Sequence, residues 1–148
     1  MALLFLTDNI NSKFHVKHKN TLHYTLTKLC RYHNKSLGSL NIKIINDKEI
    51  LHINREYLQH DYYTDIITFN YNHKNKINGD LCISHETLNH NARRYHSNYL
   101  NELYRVIIHG TLHLLNYEDK TRQQQQIMKS LEYYWLNQLI IKTYDSRI

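Results

Sequence analysis

The chain contains no proline, 3 glycines, 2 cysteines and 1 tryptophan in 148 residues. The cysteines, Cys30 and Cys82, stand far apart in apolar surroundings with no CxxC spacing. That excludes a disulfide framework or a zinc ribbon and suits a reducing, cytoplasmic setting. The opening apolar run, within residues 1–6, spans only about five residues with no basic stretch before it, too short for a signal peptide or a membrane span. It predicts a first strand. No linker, internal repeat or low-complexity block divides the chain, so residues 1–148 read as one domain. A domain of this size buries about two-thirds of its unfolded surface and needs neither disulfide nor metal merely to fold. The scarcity of proline and glycine accompanies abundant Asn, Ile, Tyr, Lys and His, the mark of AT-rich coding that fills surface positions. Acidic residues are outnumbered, 13 against 19 Lys and Arg, for a net charge of +6. A basic surface gains free energy by releasing counterions from phosphates, which favours a polyanionic partner such as nucleic acid.

Hydrophobic periodicity organises what is present. Leu22, Leu26, Leu29 and Cys30 share one face of a helix expected over about 20–34, broken by Gly38 and Ser39. Leu40, Ile42 and Ile44 alternate as in a strand over 40–45. Asn46, with Glu49 at the N3 position, caps a helix ending near Gln59, with Ile50, Ile53, Tyr57 and Leu58 as its buried stripe. Residues 65–70 and 81–84 read as strands of a hairpin around a flexible, lysine-bearing loop, 72–79. Ser84 caps a helix to about Tyr95, and Leu100, Leu103, Tyr104, Ile107, Ile108 and Leu115 mark another over about 98–115. Thr121 with Gln124 opens a last helix whose inward face is Met128, Leu131, Tyr134, Trp135 and Leu139. Four strands and about five helices give an α+β fold, a small mixed sheet with one central helix.

That central helix carries the chemistry, in the segment His109-Gly110-Thr111-Leu112-His113-Leu114-Leu115-Asn116-Tyr117-Glu118-Asp119. In a chain with 12 histidines, chance alone supplies about one His pair at i,i+4, so the pair by itself carries little weight. Its context does. His109 and His113 project from one face and can put two imidazole nitrogens on one cation. Asn116 tolerates the left-handed conformation that ends a helix, so Asp119 can return as third ligand, ahead of the neighbouring Glu118. The H-x3-H-x5-D spacing resembles that of zinc proteases of the metzincin type. Those require Glu directly after the first His as general base, and Gly110 cannot accept a proton, which makes a small zinc peptidase the weaker reading.

The same segment closely resembles the signature of the YbeY family of bacterial endoribonucleases, which act in rRNA maturation. Their motif, histidine-glycine-x-leucine-histidine-leucine followed by glycine-tyrosine, stands here as His109 to Leu114, with Asn116-Tyr117 in the place of the latter pair. Ile53-Asn54 through Asp61, Thr64 to Phe69 and Gly79 to Ser84 look like the family's upstream blocks in the same order. The resemblance implies an α+β fold, a single Zn2+ per chain, single-stranded RNA as substrate, and rRNA and small-ribosomal-subunit components as partners.

Two positions depart from the pattern. The family's usual third ligand is a histidine where this chain has Asp119; a carboxylate still binds zinc but leaves the site one charge less positive. Family members carry an arginine important for activity where this chain has Leu58, with Arg55 one helical turn earlier as the candidate to stabilise charge on a phosphate oxygen. Lys74, Lys76, Arg93, Arg94 and Arg105 are natural phosphate contacts. Zinc-assisted phosphodiester cleavage is the leading expectation. The alternative is a ribosome-assembly or RNA-binding factor that keeps the zinc as a structural element without turnover.

Overall fold

A computed structural model describes residues 3–7, 16–57 and 66–145. Leu58, Gln59, Asp61, Thr64 and Asp65 lie outside the described residues. Nine elements follow in order: β1 (Leu3–Thr7), α1 (Val16–Tyr32), β2 (Ser36–Ile45), α2 (Asp47–Tyr57), β3 (Ile66–Asn70), β4 (Lys76–Ser84), α3 (His85–Arg94), α4 (Tyr99–Leu114) and α5 (Arg122–Asp145). The strands form one mixed sheet in the order β1-β2-β4-β3, parallel except for the antiparallel β3–β4 hairpin. The fold is α+β, as the periodicity predicts.

Alternation along the strands sorts the helices between the two faces. Leu40, Ile42, Ile44, Leu81, Ile83 and Ile66 point to the main core, where Leu22, Leu26 and Leu29 of α1, Leu103 and Ile107 of α4, and Met128, Trp135 and Leu139 of α5 meet them. Ile67 and Cys82 point the other way, against Ile50 of α2. The sheet therefore lies between α2 and α4. Gly110 fixes how closely α4 approaches: a Cβ there would come within 2.6 Å of Ile66 Cδ1 and 2.9 Å of Leu81 Cδ2.

The caps agree with the residues that suggest them. Asn46 accepts from the Glu49 N–H, Ser84 from Thr87 and Asn98 from Asn101. Thr121 and Gln124 form a reciprocal capping box. No glycine among the described residues has positive φ; Asn34 (φ 60°), His96 (φ 55°) and Asn116 (φ 73°) take the left-handed position after α1, α3 and α4. Each closes a Schellman pair of backbone bonds, such as Lys35 N–H to Cys30 O with Asn34 N–H to Arg31 O.

Several boundaries differ from expectation. α1 ends at Tyr32 because Asn34 stops it, and Gly38 and Ser39 lie inside β2, at a register irregularity where the Asn78 side chain accepts from Ser39 N–H. β4 starts at Lys76, so the hairpin tip is short and ordered, with Lys74 at φ 54° and a His73–Lys76 bridge. Asn72 accepts from Asn78 N–H and donates to the Leu114 carbonyl, fastening the hairpin to the end of α4. Tyr57 and Tyr134 are exposed rather than part of their helices' buried stripes.

Candidate metal centre

α4 buries ten of its sixteen residues, and His109 and His113 are among those that turn partly outward. Their Nε2 atoms approach to 2.9 Å, with the rings nearly perpendicular at 86°. Asp119 Oδ2 lies 3.4 Å from His109 Nε2 and 3.6 Å from His113 Nε2. Ligands at about 2.0–2.2 Å around a tetrahedral zinc stand about 3.3 Å apart, so the three atoms outline one face of such a site.

The other ring nitrogens both act as donors. His109 Nδ1 donates to Glu132 Oε2 at 2.7 Å, and His113 Nδ1 donates to the Tyr117 carbonyl at 2.9 Å. Each ring therefore turns its Nε2 toward the other and toward the Asp119 carboxylate, the arrangement in which two neutral imidazoles and a carboxylate would hold a cation. Burial pushes the Glu132 carboxyl up, but hydrogen bonds and charge from His109 and Arg105 outweigh it and hold the carboxyl below its ordinary range. Arg105 reaches Glu132 Oε1 at 2.8 Å and grips Glu102 with both Nε and Nη2. Burial opposes the Arg105 charge; the two carboxylates outweigh that and raise its pKa above the ordinary value.

Local backbone chemistry delivers the oxygen, the third atom of the cluster. After α4, Tyr117 N–H bonds Leu112 O and Asn116 N–H bonds His113 O around the left-handed Asn116. The reversal aims the Tyr117 carbonyl back at His113 and carries Asp119 past both rings. Tyr117 is held from α1: its hydroxyl donates to His33 Nε2 at 2.9 Å, while His33 Nδ1 donates to Leu29 O. The Asp119 side chain is 40% exposed against 14% and 25% for the histidines, so the trio opens to solvent on the Asp119 side.

A family profile described as Endoribonuclease YbeY matches residues 6–140. The chain belongs to the YbeY endoribonuclease family. It is 40% identical over 132 residues to Endoribonuclease YbeY of Bacteroides fragilis, covering 89% of this chain and 94% of that one. It is 50% identical over 98 residues to the Parabacteroides distasonis protein of that name, covering 66% of this chain and 69% of its relative. A Thermotoga maritima protein solved in solution shares the fold, with a TM-score of 0.66 at 20% identity over 97% of this chain and 93% of that one.

Within this YbeY fold, the structure brings together His109, His113 and Asp119, the one such cluster among the described residues. Glu118 turns aside toward Gln124. Arg55 is exposed on α2, so the sheet separates its helix from the one bearing the histidines. Arg105, expected on phosphate, is instead committed to Glu102 and Glu132, whose two negative charges neutralise it. Lys74, Lys76, Arg93 and Arg94 are exposed, Arg94 lying over the Tyr95 ring at 5.6 Å. Sequence reasoning missed Glu132. Its signal was legible: a carboxylate between Met128 and Trp135 at helical spacing, in a stripe otherwise apolar.

Proposed function

We propose that this chain is a zinc-dependent endoribonuclease that cleaves single-stranded RNA in rRNA maturation and ribosome quality control, with residues 1–148 acting as one domain and a single zinc held by His109, His113 and Asp119. The observation that carries the reading is the convergence of two imidazole Nε2 atoms and a carboxylate oxygen, with both Nδ1–H groups already committed to acceptors. Two nitrogens and one oxygen with an open side are the donor set of catalytic zinc. Zinc bound there would supply Lewis acidity toward a phosphate oxygen and ease ionisation of water.

The chain's own residues do the rest. Glu132 holds the His109 ring in position by accepting its Nδ1–H, and the Tyr117 carbonyl does the same for His113. Lys74, Lys76, Arg93 and Arg94 are exposed cations suited to phosphate oxygens. Small-ribosomal-subunit components are the proposed partners and the cytoplasm the proposed setting. Two free, buried cysteines accord with a reducing compartment, and no described helix is long and apolar enough to cross a membrane.

A second reading, an RNA-binding assembly factor with a structural zinc and no turnover, is favoured by Leu58 at the arginine position and by the sheet between the Arg55 helix and the histidine helix. A peptidase is disfavoured because Gly110 is packed on Ile66 and Leu81, leaving no room there for a general base. The deciding experiment measures metal content and cleavage of single-stranded RNA, double-stranded RNA and casein on one preparation. Zinc near one equivalent with cleavage of single-stranded RNA alone is expected. Zinc-loaded protein that binds RNA without cutting it would establish the assembly reading, and casein cleavage would overturn both.

A further inference from the structure

A second surface, away from the three converging ligands, is built from α1 and α5. The sequence between Asp8 and Asp47 contains no Asp or Glu but seven Lys and Arg, so the whole of α1 is free of negative charge. Between α1 and α5 lies a groove of about 850 Å³ whose lining includes Tyr24, Lys28, Arg31, Tyr32, Tyr134 and Trp135 and no carboxylate. Three of those rings are unusually open for their size: Tyr24 is 48% exposed, Tyr32 73% and Tyr134 54%. They are nonetheless held in place. Lys28 Nζ sits 5.4 Å from the Tyr24 centroid, and Tyr32 and Tyr134 both meet Trp135 edge-on, at 6.1 and 5.1 Å.

From the Tyr32 end of the groove a relay of side-chain contacts leads to the metal centre. The Tyr32 ring meets His33 at 5.3 Å, His33 meets Tyr117 at 5.4 Å and bonds its hydroxyl, and the Tyr117 carbonyl receives His113 Nδ1–H. The pattern of alternating cations and open rings matches single-stranded nucleic acid, whose bases stack on aromatics of any sequence while its phosphates meet Lys and Arg. From Asn20 to Tyr32 the α1 wall is about 18 Å long at 1.5 Å per residue, room for about five stacked nucleotides.

We propose that the α1–α5 groove is the track that holds single-stranded RNA on its way to the cleavage site, with bases on Tyr24, Tyr32 and Tyr134 and phosphates on Lys28 and Arg31. The proposal rests on the reading of the chain as an RNA-cleaving enzyme and adds the surface that grips the strand. An acidic peptide would use the two cations but gain little from the rings, which is how the two occupants are told apart.

The test uses the zinc-loaded protein, a fluorescein-labelled 2′-O-methyl oligouridine, and fluorescence anisotropy across a salt series. Lys28→Glu with Arg31→Glu should weaken binding tenfold or more and reduce the log–log salt slope by about 1.5, the share of two single-strand phosphate contacts. Tyr32→Ala with Tyr134→Ala should weaken binding fivefold or more at unchanged slope, and Tyr134→Phe, which keeps the ring, should bind like wild type. Zinc content should be unchanged in every variant, because none of these side chains is a ligand. If wild type binds RNA and all groove variants match it in affinity and slope, the track is overturned and the nuclease reading stands. If wild type neither binds nor cuts RNA, both fall. Polyglutamate competing as well as unlabelled RNA, with the tyrosine variants unaffected, would assign the groove to an acidic peptide and overturn the proposal.

Discussion

Glu132→Ala should lower zinc affinity without touching a ligand. Glu132 is a positioning residue: its Oε2 accepts His109 Nδ1–H at 2.7 Å, and without it the ring can rotate and its tautomer is no longer fixed. Loss of such a partner costs about 10–100-fold in metal affinity, or about 1.4–2.7 kcal/mol at 1.36 kcal/mol per decade. Folding should suffer less than the removal of a buried ion-pair partner usually entails, about 3–5 kcal/mol. Arg105 retains its two-nitrogen grip on Glu102 and its side chain is 29% exposed, so the remaining charge stays paired and partly hydrated. Glu132→Gln separates the two contributions, because an amide oxygen can still accept from His109 while the negative charge is gone. The assay is competition for zinc against a chromophoric chelator, with thermal unfolding in parallel. The expected order of affinity is wild type, then Gln, then Ala. Wild-type affinity in the Ala variant would refute the positioning argument, and equal losses in Gln and Ala would show that charge rather than ring orientation is what Glu132 supplies.

Four further outcomes follow from the same contacts. His109→Ala, His113→Ala and Asp119→Ala should each lose zinc by elemental analysis while Glu118→Ala retains it; the reverse pattern for the two acidic residues would reassign the third ligand. Cys30, whose thiol burial pushes up to about 12, is thiolate in only about one molecule in ten thousand at pH 8, and burial also raises Cys82. A colorimetric thiol reagent should therefore find neither cysteine in native protein and both in denaturant. Gly110→Ala should lower stability by about 1–3 kcal/mol in urea unfolding, because its Cβ would enter the space of Ile66 and Leu81; an unchanged midpoint would mean that α4 can lift off the sheet at no cost. Asn116→Ala should cost about 1–2 kcal/mol for its left-handed φ, whereas Asn116→Gly should be neutral or stabilising.

Local rules made most of the fold legible. Where one residue decides one bond, as with Ser84 capping α3 or Thr121 and Gln124 closing a box, the residue type alone located the helix end. The reading failed where a side chain's role is set by a segment distant in sequence. Gly38 and Ser39 looked like a helix breaker because nothing local announces that Asn78, forty positions on, will bond across them inside a strand. Tyr57 and Tyr134 sit at stripe positions by spacing, yet both are exposed. Which face of the sheet the Arg55 helix covers was likewise not legible, since that follows from strand pairing and not from the helix itself. The clustering of His109, His113 and Asp119 was legible because all three fall within an eleven-residue span, on one helix and its closing turn. Its supports, Glu132 on α5 and the His33 ring just after α1 that pins Tyr117, come from distant segments and required the packed structure.

The turn at Asn116 joins folding to chemistry in a single device. In a chain with 3 glycines, none of which takes a positive φ among the described residues, the helix stop falls to asparagine, and the Schellman bonds of Tyr117 and Asn116 fix where the next three residues go. One consequence is that the Tyr117 carbonyl, free because the helix has ended, becomes the acceptor that orients His113. Another is that Asp119 arrives opposite both Nε2 atoms. The same α4 terminus is held on its other side by Asn72 from the hairpin, through the Leu114 carbonyl. Ring orientation, the placing of Asp119 and hairpin docking thus share one backbone reversal, so a change that opens it should disturb metal binding and stability together. A change confined to Glu132 should leave the reversal intact and act on metal binding more than on stability, and comparing Asn116→Ala with Glu132→Ala in the two assays tests that division.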